Sequence, residues 1–145
     1  MLKILIADDH AVVRKGIEQI IAETPDLTVT ASVSHGQAVM DYLREHAVDV
    51  VIMDIKMPGL SGLHVLPMIK KEYPHVAVLI LTIFPEEQYA IRAMQLGASG
   101  YLTKESAPEK LLYAIRKAAA GGKYIGESLA EKLADFVKHD VYENP

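Results

Sequence analysis

Val50-Val51-Ile52-Met53-Asp54-Ile55-Lys56-Met57-Pro58-Gly59 is the stretch that decides the fold. Four consecutive apolar residues run straight into one carboxylate. An apolar run this short, without polar alternation, reads as a strand covered on both faces. The residues after Asp54 are turn material: Pro58 presets one backbone angle and Gly59 permits a left-handed one. The sequence thus sets a single acid at the mouth of a buried strand, under a tight loop.

On either side of this stretch, strand-like apolar runs recur at residues 3–7, 27–34, 76–82 and 100–104. Helical periodicity fills the gaps. Val13, Ile17, Ile20 and Ile21 share one helix face, as do Val39, Tyr42 and Leu43 in the next segment. Leu63, Leu66 and Ile69 mark a third helix, with Ser61 as its cap. A fourth opens at Pro85-Glu86-Glu87 and closes at Gly97. A fifth opens at Ser106-Ala107-Pro108-Glu109, a capping box, and closes at Gly121-Gly122. Strand and helix alternate strictly, and each crossover has room for a helix. The expected fold is α/β: a doubly wound, five-stranded parallel sheet of order 2-1-3-4-5. Residues 1–122 form that domain. Residues 123–145 hold one more amphipathic stretch, with Ile125, Leu129, Leu133, Phe136 and Val137 on one side. It reads as a linker helix over 125–137 with a polar tail.

Bulk properties agree. The chain has 145 residues, half of them apolar and 23% charged, which suits one compact domain with a core. A net charge of −4 gives no general attraction to nucleic acid or anionic membrane. Without cysteine there is neither a disulfide frame nor a thiolate metal site. The apolar start at Met1 is too short to span a bilayer and lacks a cleavage site. The expectation is a cytoplasmic protein without a membrane role.

In a sheet of this order, ligands bind beyond the carboxyl ends of the strands, where strand order reverses. Strand 1 ends in Asp8-Asp9, strand 3 in Asp54, strand 4 in Thr82 and strand 5 in Lys104. Three carboxylates, a hydroxyl and an ammonium therefore meet on one rim. Crowded carboxylates repel, and a hard divalent cation relieves them; Mg²⁺ takes oxygen ligands and one or two carboxylates. Carboxylate, Mg²⁺, hydroxyl and lysine together suit phosphoryl transfer. Singly, Asp9 reads equally as a helix cap, Asp54 as a turn cap and Lys104 as a surface lysine. The six His residues show no metal-ligand spacing. They read as non-ligands, His10 adjoining the acids by sequence only.

The ordered set resembles the receiver domain of two-component response regulators. It comprises Asp8-Asp9, Asp54 before Met57-Pro58-Gly59-Leu60-Ser61-Gly62, Leu81-Thr82, and Gly97-Ala98-Ser99-Gly100-Tyr101-Leu102-Thr103-Lys104. The Asp9-His10 pair, the phrase from Gly97 to Glu105 and the exit Gly122-Lys123-Tyr124 look most like the NarL/FixJ subfamily. The resemblance implies that Asp54 accepts phosphate from a sensor histidine kinase and that the domain catalyses its own phosphorylation. It implies Asp9 and Asp54 as direct Mg²⁺ ligands with the Lys56 backbone carbonyl, and Asp8 acting through water. Thr82 and Lys104 would bind phosphoryl oxygens, and Thr82 with Tyr101 would form the switch. A second copy of the chain is one candidate partner, and the resemblance implies DNA contact only through a C-terminal domain absent from this chain. Two positions depart from it. Ile83 stands where a small residue is frequent and would narrow access; Glu105 stands where proline is frequent, which removes the reason for a cis bond.

Three rivals remain. An aspartyl-phosphate phosphatase needs a second acid two residues after the nucleophile, where this chain has Lys56. A flavin carrier would place a phosphate against Asp8-Asp9. A receiver-like binding module that no longer uses phosphorylation differs only in an assay.

Overall fold

The computed structural model describes residues 1–83, 87–105, 107–126, 130–131 and 134–135. In chain order the elements are β1 (Leu2–Ala7), α1 (Ala11–Ala22), β2 (Leu27–Val33), α2 (Gly36–Glu45), β3 (Val50–Met53) and α3 (Gly62–Glu72). After them come β4 (Ala77–Thr82), α4 (Glu87–Gln95), β5 (Gly100–Thr103), α5 (Ala107–Ala119) and β6 (Tyr124–Ile125). The sheet is parallel throughout, in the order β2-β1-β3-β4-β5-β6. The expected five-strand order holds, with a short sixth strand added.

Every residue of β3 and β4 is buried, and the two-residue period of a strand explains how. Leu5, Val51, Met53, Val78 and Ile80 face one side, packed with Val39, Leu43, Val65, Leu66 and Ile69 of α2 and α3. Ile4, Ile6, Val50, Ile52, Leu79 and Leu81 face the other, packed with Ile17, Ile21, Leu111 and Ile115 of α1 and α5. Two cores sandwich one sheet, so the central strands carry no polar face. That is the physical content of the Val50–Met53 run.

The sixth strand corrects the sequence reading. Ile125 opens no helix: it pairs with Tyr101, and Tyr124 pairs with Gly100. β5 would otherwise be an open edge. The chain leaves α5 at Gly121, lies beside β5, and Tyr124 N–H donates to Ser99 O at 2.8 Å. Backbone pairing there outweighs a helical stripe that Ile125 would only have begun. Further on, Ala130–Glu131 and Ala134–Asp135 are helical. Leu129, Leu133, Phe136 and Val137 lie outside the described residues, as do Pro85, Glu86 and Ser106 of the expected helix starts. The Ser61 cap is present, its Oγ accepting from His64 N–H at 3.3 Å. Among the described residues no helix is long and apolar enough to cross a membrane.

Candidate functional site

Main-chain hydrogen bonds continue past the strand ends and fix the rim. Asp8 N–H donates to Val33 O and Asp54 N–H to Ala7 O, each at 3.0 Å, and Lys104 N–H donates to Thr82 O at 2.8 Å. The residues that carry chemistry are thus set by the sheet and not by a free loop. Asp8, Asp54 and Thr82 are buried, and Asp9 is partly open to water, with 36% of its side chain exposed.

The turn after Asp54 closes tightly on it. Ile55 N–H donates to Asp54 Oδ1 at 2.7 Å, which aims the carboxylate. Gly59 has φ +77°, the left-handed geometry the turn requires. Gly62 is needed for another reason: a Cβ there would lie 2.1 Å from the Asp54 carbonyl oxygen. The start of α3 presses against the backbone of the acid it supports.

One cation answers the crowded acids. Lys104 Nζ lies 2.8 Å from Asp8 Oδ2 and 3.0 Å from Asp54 Oδ2, with only 10% of the lysine side chain exposed. Burial by itself lowers the lysine pKa. The hydrogen bonds and charges of Asp8 and Asp54 outweigh that and hold it above the usual value. Sequence reading missed the contact with Asp8, which joins residues far apart in the chain.

His10 belongs to the cluster, contrary to the expectation that it adjoins the acids by sequence only. Its Nδ1 lies 2.9 Å from Asp8 Oδ1, 3.3 Å from Asp9 Oδ1 and 3.8 Å from Asp54 Oδ2. Its backbone N–H donates to Asp8 Oδ1 at 2.8 Å, an Asx-type bond that turns the ring back over the rim. The sole hint in the sequence was a histidine two residues after an acid that ends a strand. Asp9 is not the cap of α1; His10 occupies that position and makes no side-chain cap bond. Asp8, Asp9, His10 and Asp54 each offer one ligand atom, all within 4.8 Å of one another. The group could hold a metal ion.

Tyr101 is buried among the side chains of the α4 side of the sheet. Lys56 is exposed in the turn after Asp54. Among the described residues no peptide bond is cis, in keeping with Glu105 in place of proline.

Residues 4–116 match the family described as response regulator receiver domain. This chain belongs to that family. The response regulator GacA of Pseudomonas aeruginosa is 38% identical over 134 residues, 92% of this chain and 63% of GacA. The receiver therefore spans under two thirds of the length of this relative. A LuxR-family two-component response regulator from Aurantimonas superposes with a TM-score of 0.85 at 32% identity, covering 92% of this chain and 95% of that one. A structure of two RcsB dimers bound to two parallel DNAs gives 0.84 at 26%, covering 92% and 68%. Within the family the receiver sits with regulators of the NarL/FixJ type, and its role is signalling.

Proposed function

We propose that the chain is a phosphoacceptor module and that Asp54 takes the phosphoryl group. The observation that carries this is one buried carboxylate at a strand end, with an ammonium 3.0 Å away and two further acids alongside. In the proposed reaction an Asp54 oxygen attacks the phosphorus of a phosphohistidine presented by a sensor histidine kinase. The P–O bond forms as the P–N bond breaks, and the leaving imidazole takes up a proton. Lys104 turns from the acids to the transferred oxygens, and the Thr82 hydroxyl donates to one of them. The chain's own residues thus supply the catalysis, for hydrolysis of the acyl phosphate as for its formation.

The acid-rich donor set suits Mg²⁺, with Asp9, Asp54 and the Lys56 carbonyl as direct ligands and Asp8 through water. When bound, the ion neutralises charge on the phosphoryl oxygens. The switch we propose couples Thr82 to Tyr101: drawing the hydroxyl toward new charge favours the buried ring, a two-state element biased locally. Residues 1–122 are the proposed receiver and 123–145 the link to a DNA-binding domain outside this chain, acting as a homodimer in the cytoplasm. RcsB dimers on DNA support that reading, and the net charge of −4 argues against DNA contact by the receiver itself.

Intact mass after incubation with Mg²⁺ and a small phosphodonor tests the site. A single phosphoryl adduct is expected, absent in Asp54→Asn. An adduct that survives this substitution moves the site elsewhere.

A further inference from the structure

We propose that His10 is a ligand of the cation site, through Nδ1, and tunes it toward divalent ions that accept nitrogen. The inference rests on the reading of this rim as a Mg²⁺-type site and extends it to a residue that the reading leaves out.

Two observations carry it. The first is spacing. Ligands about 2.1 Å from one octahedral ion stand about 3 Å apart when adjacent and about 4.2 Å when opposite. His10 Nδ1 stands 3.3 and 3.8 Å from oxygens of Asp9 and Asp54, the two carboxylates assigned as direct ligands. Both separations fall within the range that one shared ion sets.

The second is a conflict over one lone pair. Nδ1 lies 2.9 Å from Asp8 Oδ1 and 3.1 Å from Lys104 Nζ. With a proton, Nδ1 donates to Asp8 but meets the ammonium donor head on. Without one, it accepts from Lys104 but turns its lone pair to a carboxylate. No tautomer satisfies both neighbours. A cation among these atoms removes the conflict, because nitrogen and carboxylate lone pairs then point at the same charge. The ring is half exposed, so it is free to complete that contact.

Imidazole binds first-row transition ions better than it binds Mg²⁺, which keeps to oxygen and water. Preference for Mn²⁺ over Mg²⁺ should therefore depend on His10. The probe is Mn²⁺ added to the full chain, read by electron spin-echo modulation from ¹⁴N and by titration of the free-ion signal. His10→Asn keeps a good helix cap residue, so folding is preserved. The expected result is ¹⁴N modulation in the parent and its loss in His10→Asn. The Mn²⁺ to Mg²⁺ affinity ratio should fall about tenfold with it. Manganese that binds with no ¹⁴N modulation, or a ratio unchanged in the variant, overturns the ligand role while leaving Asp54 as phosphoacceptor. Failure of both ions to bind overturns this proposal and the cation-dependent reading together.

Discussion

Replacing Lys104 by methionine removes the ammonium that Asp8 and Asp54 share and nearly preserves side-chain length. At 2.8 and 3.0 Å, each contact is worth about 6 kcal/mol before desolvation, at an effective dielectric of about 20. Desolvation of a lysine this buried returns several kcal/mol, and Asp9 leaves one side of the cluster open to water. The net loss should be about 2–4 kcal/mol in metal-free protein. At about 2–4 °C per kcal/mol for a chain of this size, Tm should fall by about 5–15 °C. Thermal unfolding followed by circular dichroism in chelator measures it. Asp54→Asn should move Tm the other way or not at all, because it removes one of three crowded charges and leaves Asp8 paired. Mg²⁺ should raise Tm more in Lys104→Met than in the parent, since an ion then meets the acids without competing with an ammonium. The pH dependence has a definite sign. The folded lysine pKa lies above the usual 10.5, so the stabilisation is whole below 10.5 and is lost as pH rises through the folded value. Between neutral pH and that range the difference between parent and variant should be constant, and it should shrink above it. A Lys104→Met protein that melts within about 1 °C of the parent in chelator refutes the charge argument.

Gly62→Ala should cost about 2–3 kcal/mol, since the added methyl meets the Asp54 backbone and no flexible side chain; denaturant unfolding reads this directly. Ile83 is 59% exposed and lines an apolar hollow with Val12, Val13 and Lys104. Ile83→Ala should speed both labelling by a small phosphodonor and loss of the label, with stability within about 0.5 kcal/mol of the parent. Asp26 is held below its usual 3.8, chiefly by a hydrogen bond from Arg116. That contribution is present above 3.8 and lost as pH falls through the lower folded value, so Arg116→Gln should show a shallower acid limb in a pH titration of Tm.

The sheet was legible because parallel strands under two helical layers have no polar face, so Val50–Met53 and Ala77–Thr82 announce themselves by continuous apolarity. The rim was legible for a related reason. Strand ends are where such a run must stop, and Asp8, Asp54, Thr82 and Lys104 are the residues that stop them. What stayed hidden depends on side-chain direction or on edges. Tyr124-Ile125 is too short to read as a strand, and the open edge of β5 recruits it. His10 comes after the acids in sequence, but its place over them comes from a backbone bond to Asp8 that no spacing rule encodes. The Asp8–Lys104 contact spans most of the domain.

These differences divide the site into fixed and movable parts, and the division bears on how a charge placed on Asp54 would be felt. Asp8 and Asp54 are pinned by the ladder hydrogen bonds of their own main chain, and the Asp54 carbonyl is further backed by Gly62. Neither backbone can yield without breaking the sheet. Lys104 Nζ is held by the two carboxylates and touches His10; the ring itself is half exposed. On the proposed function, new charge on Asp54 is therefore relieved by side chains that change partners, not by movement of the acids. Lys104 is the first to change. Its backbone is bonded to Thr82, and Thr82 ends β4 one register pair beyond Leu81 and two beyond Ile80, the partner of Tyr101. The route from charge to the α4–β5 face thus runs along one pair of strands. It needs no loop to carry it.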